Sequence, residues 1–167
     1  VLIAEYTTFH DPHLAPEGRA MVSALKKSFE NCGHEVILPD GGDFNAEIER
    51  LAPECDYGIV IAPDALLSRF THTLELATHN IGTDSTAVAV CASKRLSSKL
   101  LANVGINVPK EVGTDFAGKR VIKPIKGEGS NGVRIAKDGE EPKEGEMSVE
   151  YIEGEHYSVS IVGSRVV

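Results

Sequence analysis

Cysteine is scarce in this chain. Its three, Cys32, Cys55 and Cys91, stand far apart, with no second Cys or His at ligand spacing. That usage excludes a disulfide framework and a zinc knuckle, and it suits a reducing compartment, the cytoplasm. Positive charge is short as well: 17 Lys and Arg against 25 Asp and Glu give a formal net charge of -8. Such a surface repels phosphate backbones and anionic membrane faces, so neither nucleic acid nor membrane is expected as a partner, and any anionic ligand has to be caught locally. No apolar run approaches the roughly 20 residues of a membrane span, and no basic segment followed by an apolar one reads as a secretion signal. Internal repeats and low-complexity tracts are missing too. There is no initial Met, and the last residues, Arg165-Val166-Val167, read as mid-strand, so a fragment is expected.

What is present is the balance of a soluble globular protein: 41% hydrophobic and 25% charged residues over 167 positions, enough for one ordinary domain or two small ones. The first half alternates short apolar runs with amphipathic stretches. VLIAEY (1–6) reads as a strand; EGRAMVSALKKSFENCG carries Met21, Leu25, Phe29 and Cys32 at helical spacing with Gly33 as its stop. EVIL (35–38) reads as a second strand, AEIERLA (46–52) as a short helix, YGIVIA (57–62) as a third strand, and DALLSRFTHTLELATHN as a long helix capped by its Asp. Strands alternating with helices imply a parallel, doubly wound sheet. After AVAV (87–90) a helix with Leu96, Leu100 and Val104 on one face ends at Gly105 and Pro109. From Arg120 the pattern changes to short strands joined by glycine turns, RVIKP, GVRIA, MSVEYI and HYSVSIV, with Gly163-Ser164 as a hairpin turn, so an antiparallel region is expected. KDGEEPKEGE (137–146) reads as a charged surface loop.

The stretch VIKPIKGEGSNGVRI holds Gly127-x-Gly129-x-x-Gly132. A dinucleotide fingerprint needs a helix after the glycines, because the pyrophosphate sits on the helix's first amides, and V-R-I-A is β-branched and alternating instead. A P-loop needs Lys and Ser/Thr closing the run, and Gly132 is followed by Val133. Protein kinases place their lysine on a later strand and carry His-Arg-Asp and Asp-Phe-Gly motifs that this chain lacks, whereas here Lys123 precedes the loop. What remains is a glycine hairpin whose backbone amides can fold over a polyphosphate, since glycine has no Cβ to obstruct close approach. An ordinary structural hairpin would look the same from the loop alone.

The company of the loop decides between them. Lys94 at a helix start, Lys123 on a strand, the glycine loop, and then Glu150-Tyr-Ile-Glu-Gly-Glu-His-Tyr-Ser-Val resemble the ATP-grasp superfamily in kind and order. CASKRLSSKLLANVGINVPKEV is similar to that family's Asp-Lys segment, with Ser93 where Asp is usual and Lys94 retained. The opening, with Glu5-Tyr6, Glu17-Gly18 and Met21, resembles archaeal members that include tyramine:glutamate ligases. The resemblance covers essentially the whole chain. It implies an N-terminal α/β lobe over residues 1–92, an antiparallel lid over 93–153, and the beginning of a C-terminal lobe over 154–167.

The same resemblance implies ATP and Mg2+, with phosphates held by Lys94 and Lys123 under Gly127, Gly129, Ser130, Asn131 and Gly132. Glu150, Tyr151 and Ile152 would lie against adenine, and His156 or Glu155 against the ribose. If that segment is a strand, alternation lets only one of these two neighbours face the ligand. Lys126 and Glu128 receive no role. Magnesium ligands of this family come late in the chain and have no counterpart here, so no metal ligand is named. The implied reaction joins a carboxylate to an amine through an acyl phosphate, with glutamate and tyramine as the pair suggested by the opening. A nucleotide-binding module without ligase activity, and a family member of other chemistry such as carboxylation or phosphorylation, stay open beside it, as does a homodimer.

Three other groupings weigh less. His72, Glu75 and His79 share a helical face, but Phe70, Leu74, Ala77 and Ile81 lie opposite, so a solvated polar face is expected. His10, Asp11 and His13 follow the first strand at the edge where α/β proteins place substrates, and an ordinary polar loop explains them equally well. Glu17 favours the start of its helix through the dipole. Ser, Cys and His show no hydrolase pattern.

Overall fold

The computed structural model describes residues 1–127, 129–162, 165 and 166. In the first half, β1 (Leu2–Glu5) leads through the single-turn α1 (Thr7–His10) into α2 (Ala15–Asn31). Then come α3 (Phe44–Leu51) with a 3-10 turn at Ala52–Glu54, β2 (Tyr57–Ile61), α4 (Asp64–Glu75), β3 (His79–Asn80) and α5 (Ser85–Cys91). The three strands form a parallel sheet in the order β1-β2-β3. Ile37 adds one parallel bridge on the far side of β1, opposite Leu2. Chain order therefore reverses between β1 and β2, and their carboxyl ends are the natural crevice for a ligand in such a sheet. Leu2, Ala4, Phe44, Ile48, Leu51, Val60, Phe70 and Leu74 make the core beneath that crevice.

The second half starts with α6 (Lys94–Asn103) and continues with β4 (Arg120–Pro124), β5 (Arg134–Ile135) and β6 (Glu146–Glu150), an antiparallel sheet with β4 central. Ile122, Met147 and Val149 are its buried residues. β7 (Ile161–Val162) and β8 (Arg165–Val166) form a separate antiparallel pair. The expected Gly163-Ser164 turn between them lies outside the described residues. No helix among the described residues is long and apolar enough to cross a membrane.

Several expectations need correction. EVIL contributes one bridging residue rather than a strand, because Ile37 bonds only Val1 and Ile3 at the sheet edge. The helix at 64 is preceded by Pro63 as its cap, so Asp64 is its first residue rather than its cap. That helix ends at Glu75, and His79 belongs to β3, with its ring edge-on to Tyr57 at 5.6 Å. Phe70 and Leu74 are buried as expected, while Ile81 is exposed. AVAV, given no element above, is helical, because Asp84 caps α5 by accepting from Thr86 N and Ala87 N. Leu96 and Leu100 of α6, and Val104 at its C-cap, are exposed. HYSVSIV is strand only at its end, as β7.

Candidate functional site

The site is built where α6 meets the glycine loop. Ser93 caps α6: its Oγ accepts from Leu96 N at 3.3 Å. Ser93 thus does what the more usual Asp would do, since both are strong N-cap residues. The cap leaves Lys94 as the first helical residue. Its backbone N donates to Ile125 O at 2.8 Å, and its ammonium donates to Gly127 O. A lysine here stands at the positive end of the helix dipole, with no acidic residue in the first turn to offset it.

Lys123 comes in from β4, the central strand, opposite Met147. Burial, and secondly the charge of Lys94, lower its pKa below the usual lysine value. Two cations and a helix N-terminus therefore converge. Among the described residues neither ammonium forms an ion pair with a carboxylate. Concentrated uncompensated positive charge is costly unless an anion visits it.

Between Pro124 and Val133 the chain turns through the left-handed region at Gly127 (φ 108°), Gly129 (66°), Ser130 (57°) and Gly132 (75°). Three of the four are glycine, which adopts that region freely. A Cβ at Gly132 would lie 3.0 Å from Pro124 Cγ, so the loop folds back closely on its own root. Gly127, Gly129, Ser130 and Asn131 are exposed. Lys126 and Gly127 line one side of a cleft of about 440 Å³ whose other wall is Pro63, Asp64, Ala65 and Ser68 from the start of α4. The loop's root thus faces the carboxyl edge of the first sheet.

The remaining candidates are less closely gathered. Glu150 closes β6 and is used structurally: its Oε1 accepts from Lys110 N at 2.9 Å, and its N donates to Lys110 O at 2.9 Å. Tyr151 N donates to Lys119 O at 2.9 Å, and the Lys119 ammonium stands 5.7 Å from the Tyr151 ring centre. The Tyr151 amide is therefore engaged, while the side chain of Ile152 is exposed. Glu155 and His156 are both exposed and lie outside any strand, so alternation does not choose between them. Glu155 accepts from the Tyr157 hydroxyl.

The first sheet carries a feature that periodicity did not mark. Glu5 is 3% exposed, and its carboxylate accepts from Thr7 N (2.7 Å), Thr7 Oγ1 (2.5 Å) and Thr8 N (2.8 Å). Burial pushes its pKa up, but these bonds from Thr7 and Thr8 outweigh it and hold the group below the ordinary carboxylate value. Glu5 lines a cavity of about 170 Å³ at the crevice, with Leu14, Glu17, Met21, Ile61 and Asp64. The neighbouring candidates are structural. His10 stacks on Tyr6 at 4.7 Å, and Asp11 Oδ1 accepts from His13 N and Leu14 N. Glu75 accepts from Ser85 N, Ser85 Oγ and Asn80 Nδ2.

The loop at 137–146, expected to be mere surface, is folded around an arginine. Arg134 Nε donates to Glu140 at 2.9 Å, and its two terminal nitrogens reach both oxygens of Glu146 at 2.7 and 2.9 Å. The Arg134 bond, followed by that from Lys143 N, holds Glu146 down at about 2.

Comparison with known proteins bears on the fold. Residues 91–167 match a family model described as an ATP-grasp domain. No curated protein sequence matches the chain significantly. Among solved structures, the chain is similar to an ATP-grasp superfamily protein from Archaeoglobus fulgidus, at 25% identity and a TM-score of 0.69, covering 92% of this chain and 53% of that one. It is similar in fold to D-alanine–D-alanine ligase from Bacillus anthracis (20%, TM-score 0.64, 92% and 57% covered). The same holds for N5-carboxyaminoimidazole ribonucleotide synthetase from Thermotoga maritima (18%, TM-score 0.60, 91% and 45% covered). The chain spans about half the length of these structures. Its second half carries the ATP-grasp domain match, and the chain as a whole has the mixed α/β fold of ATP-grasp proteins.

Proposed function

We propose that this chain is the nucleotide-holding part of an ATP-dependent ligase that joins a carboxylate to an amine. The observation that carries the reading is the meeting of Lys94 and Lys123 at the start of α6, with no carboxylate paired to either among the described residues. A polyphosphate is the ligand such a place suits, because its charge matches two ammonium groups and a ring of backbone amides at once. When bound, ATP supplies a phosphoryl group that activates the acid as an acyl phosphate, and the amine then displaces phosphate. The protein's share is positioning and charge compensation. In this reading Lys94 and Lys123 spread the charge on the phosphates, the loop from Gly127 to Gly132 covers them, and the covered site keeps water from the activated acid.

Adenine lies against Glu150, Tyr151 and Ile152, and Glu155 or His156 takes the ribose; the resemblance of this segment to the family supports both. The division at residues 92/93 and 153/154 is supported by the separate parallel and antiparallel sheets. Among the described residues no group of three His, Cys, Asp or Glu could hold a metal ion, so no step is assigned to magnesium. The acid-lined crevice with Glu17 and Asp64 suits a cationic amine, and Asp64 also lines the cleft under the flap. Glutamate and tyramine as the substrate pair rest on the opening segment alone.

The test has two arms. Binding of a fluorescent ATP analogue should weaken at least about tenfold in Lys94→Met and in Lys123→Met, the loss of one charge-assisted phosphate contact; unchanged affinity would remove the site. In the second arm, the natural full-length protein is incubated with ATP, candidate acids and candidate amines, glutamate with tyramine among them. ADP and amide should rise together, and ADP without amide would count against the ligase.

A further inference from the structure

The glycine loop has two roots, and one residue, Glu146, meets both: its backbone pairs with the leading one and its carboxylate binds the returning one. On the leading side, Pro124 pairs across the sheet with Glu146, and Ile125 N donates to Gly145 O at 2.8 Å. On the returning side the ladder is short: β5 is two residues long, with Val121 opposite Ile135 and Ile122 opposite Arg134. Two rungs are a weak hold for a strand that ends a turn-rich loop.

Arg134 makes up the difference. Its forked contact with Glu146 ties the returning root to the residue facing the leading root, and its third contact, to Glu140, ties both to the loop at 137–146. Arg134 Nη1 also approaches Gly132 O, at 3.5 Å. Both acids are themselves fixed: Glu140 accepts from Lys137 N and Glu146 from Lys143 N, each at 2.9 Å. The guanidinium is 33% exposed and Glu146 only 16%, so the pair is shielded better than most surface ion pairs. A planar fork on a carboxylate fixes direction as well as distance, which an ammonium on the same partner would not.

We propose that Arg134 is a positioning residue for the glycine loop: by clamping Glu146 and Glu140 it sets the width of the loop's base and so the reach of its amides over a polyphosphate. Its effect on nucleotide rests on the ATP reading above; its effect on the loop does not. Arg134 itself contacts no phosphate in this assignment, and its action runs through the backbone of Gly132 and Val133.

The experiment separates the two. Amide hydrogen exchange is measured on the nucleotide-free chain, wild type against Arg134→Gln, Arg134→Lys and the charge-exchanged pair Arg134→Glu with Glu146→Arg. Exchange across residues 125–135 should quicken about tenfold in Arg134→Gln, remain faster than wild type in Arg134→Lys, and recover in part in the exchanged pair, while α2 and α4 keep wild-type rates. Calorimetric titration with ATP and with AMP follows. Arg134→Gln should lose about tenfold of the preference for ATP over AMP, because a cover over the polyphosphate acts on phosphates that AMP lacks. An unchanged loop exchange in Arg134→Gln would overturn the inference whether or not ATP binds. Quickened exchange with an unchanged ATP preference, in a wild type that binds ATP, would overturn its functional half. A wild type that binds no ATP would remove the reading of the site itself while the exchange result still judged the clamp. Equal loss of ATP and AMP affinity would reduce Arg134 to general support and overturn the assignment.

Discussion

Lys123 is charged where the fold gives it little reason to be. Burial, then Lys94, lowers its pKa from 10.5, so between the lowered value and 10.5 the unfolded chain binds more protons than the folded one. Stability therefore rises with pH across that window, and below it the ammonium works against folding throughout. Lys123→Met keeps the length and removes the charge. At pH 7 its thermal midpoint without nucleotide should exceed that of wild type, the gain should shrink as pH approaches 10.5, and ATP binding should fall by about tenfold or more. Scanning calorimetry at pH 7 and pH 10 checks the sign, and a midpoint that drops at pH 7 would mean the ammonium is compensated. Gly18 makes the opposite case, a residue whose smallness is structural. A Cβ there would meet Thr7 Oγ1 and lie 2.5 Å from Glu5 Oε2, inside α2. Alanine gains about 1 kcal/mol of helix preference over glycine. Crowding a packed site costs about 1–3 kcal/mol, and here it also disturbs the bonds that keep a buried carboxylate charged. Gly18→Ala should therefore be a net loss in urea denaturation despite the better helix former.

Among the elements, Ser93 links a cap to the phosphate contact proposed for Lys94. Ser93→Ala should cost roughly 0.5–2 kcal/mol in stability by losing the bond to Leu96 N. It should weaken ATP binding as well, since the first turn it orders presents Lys94. Ser93→Asp should restore both, and denaturant midpoints with nucleotide titrations measure each. This position also shows what a sequence can tell. The helices α2, α3, α4 and α6 and the strands β1, β2 and β4 follow from spacing, caps and glycine stops, which are local. Lys94, Lys123 and the glycine loop were readable because their order along the chain is itself a pattern. The extent of the shortest elements was not: EVIL shrinks to Ile37, held by Val1 and Ile3, and GVRIA to β5, held by Val121 and Ile122. From sequence AVAV is given no element, and Asp84 three residues earlier makes it a helix. The bonding of Glu5 and of Arg134 escaped for the same reason. Their partners are defined by how the chain folds back, and a Glu in an apolar run or an Arg before an Ile carries no local mark.

For the whole molecule, the two halves differ in how much core they own. The first sheet rests on a cluster that includes Leu2, Phe44, Ile48, Leu51, Phe70 and Leu74. The second has Ile122, Met147 and Val149, and α6 beside it buries no residue. Buried apolar area is the main source of stability, so the second half should unfold first on heating, as a separate, smaller transition. Nucleotide would act on that transition in particular, because Lys94, Lys123 and the glycine loop all belong to it and Lys94 N is bonded to Ile125 O. A ligand that binds only the folded form adds about 2.7 kcal/mol at a hundredfold excess over its Kd. For a cooperative unit the size of the second half that corresponds to an upward shift of roughly 10–20 °C. ATP should therefore raise the lower calorimetric transition by that amount and leave the upper one nearly in place. Lys123→Met should abolish the shift, and Arg134→Gln should reduce it without moving the upper transition. A nucleotide shift confined to the upper transition would place the binding energy in the parallel sheet, against the assignment of the phosphates to Lys94 and Lys123.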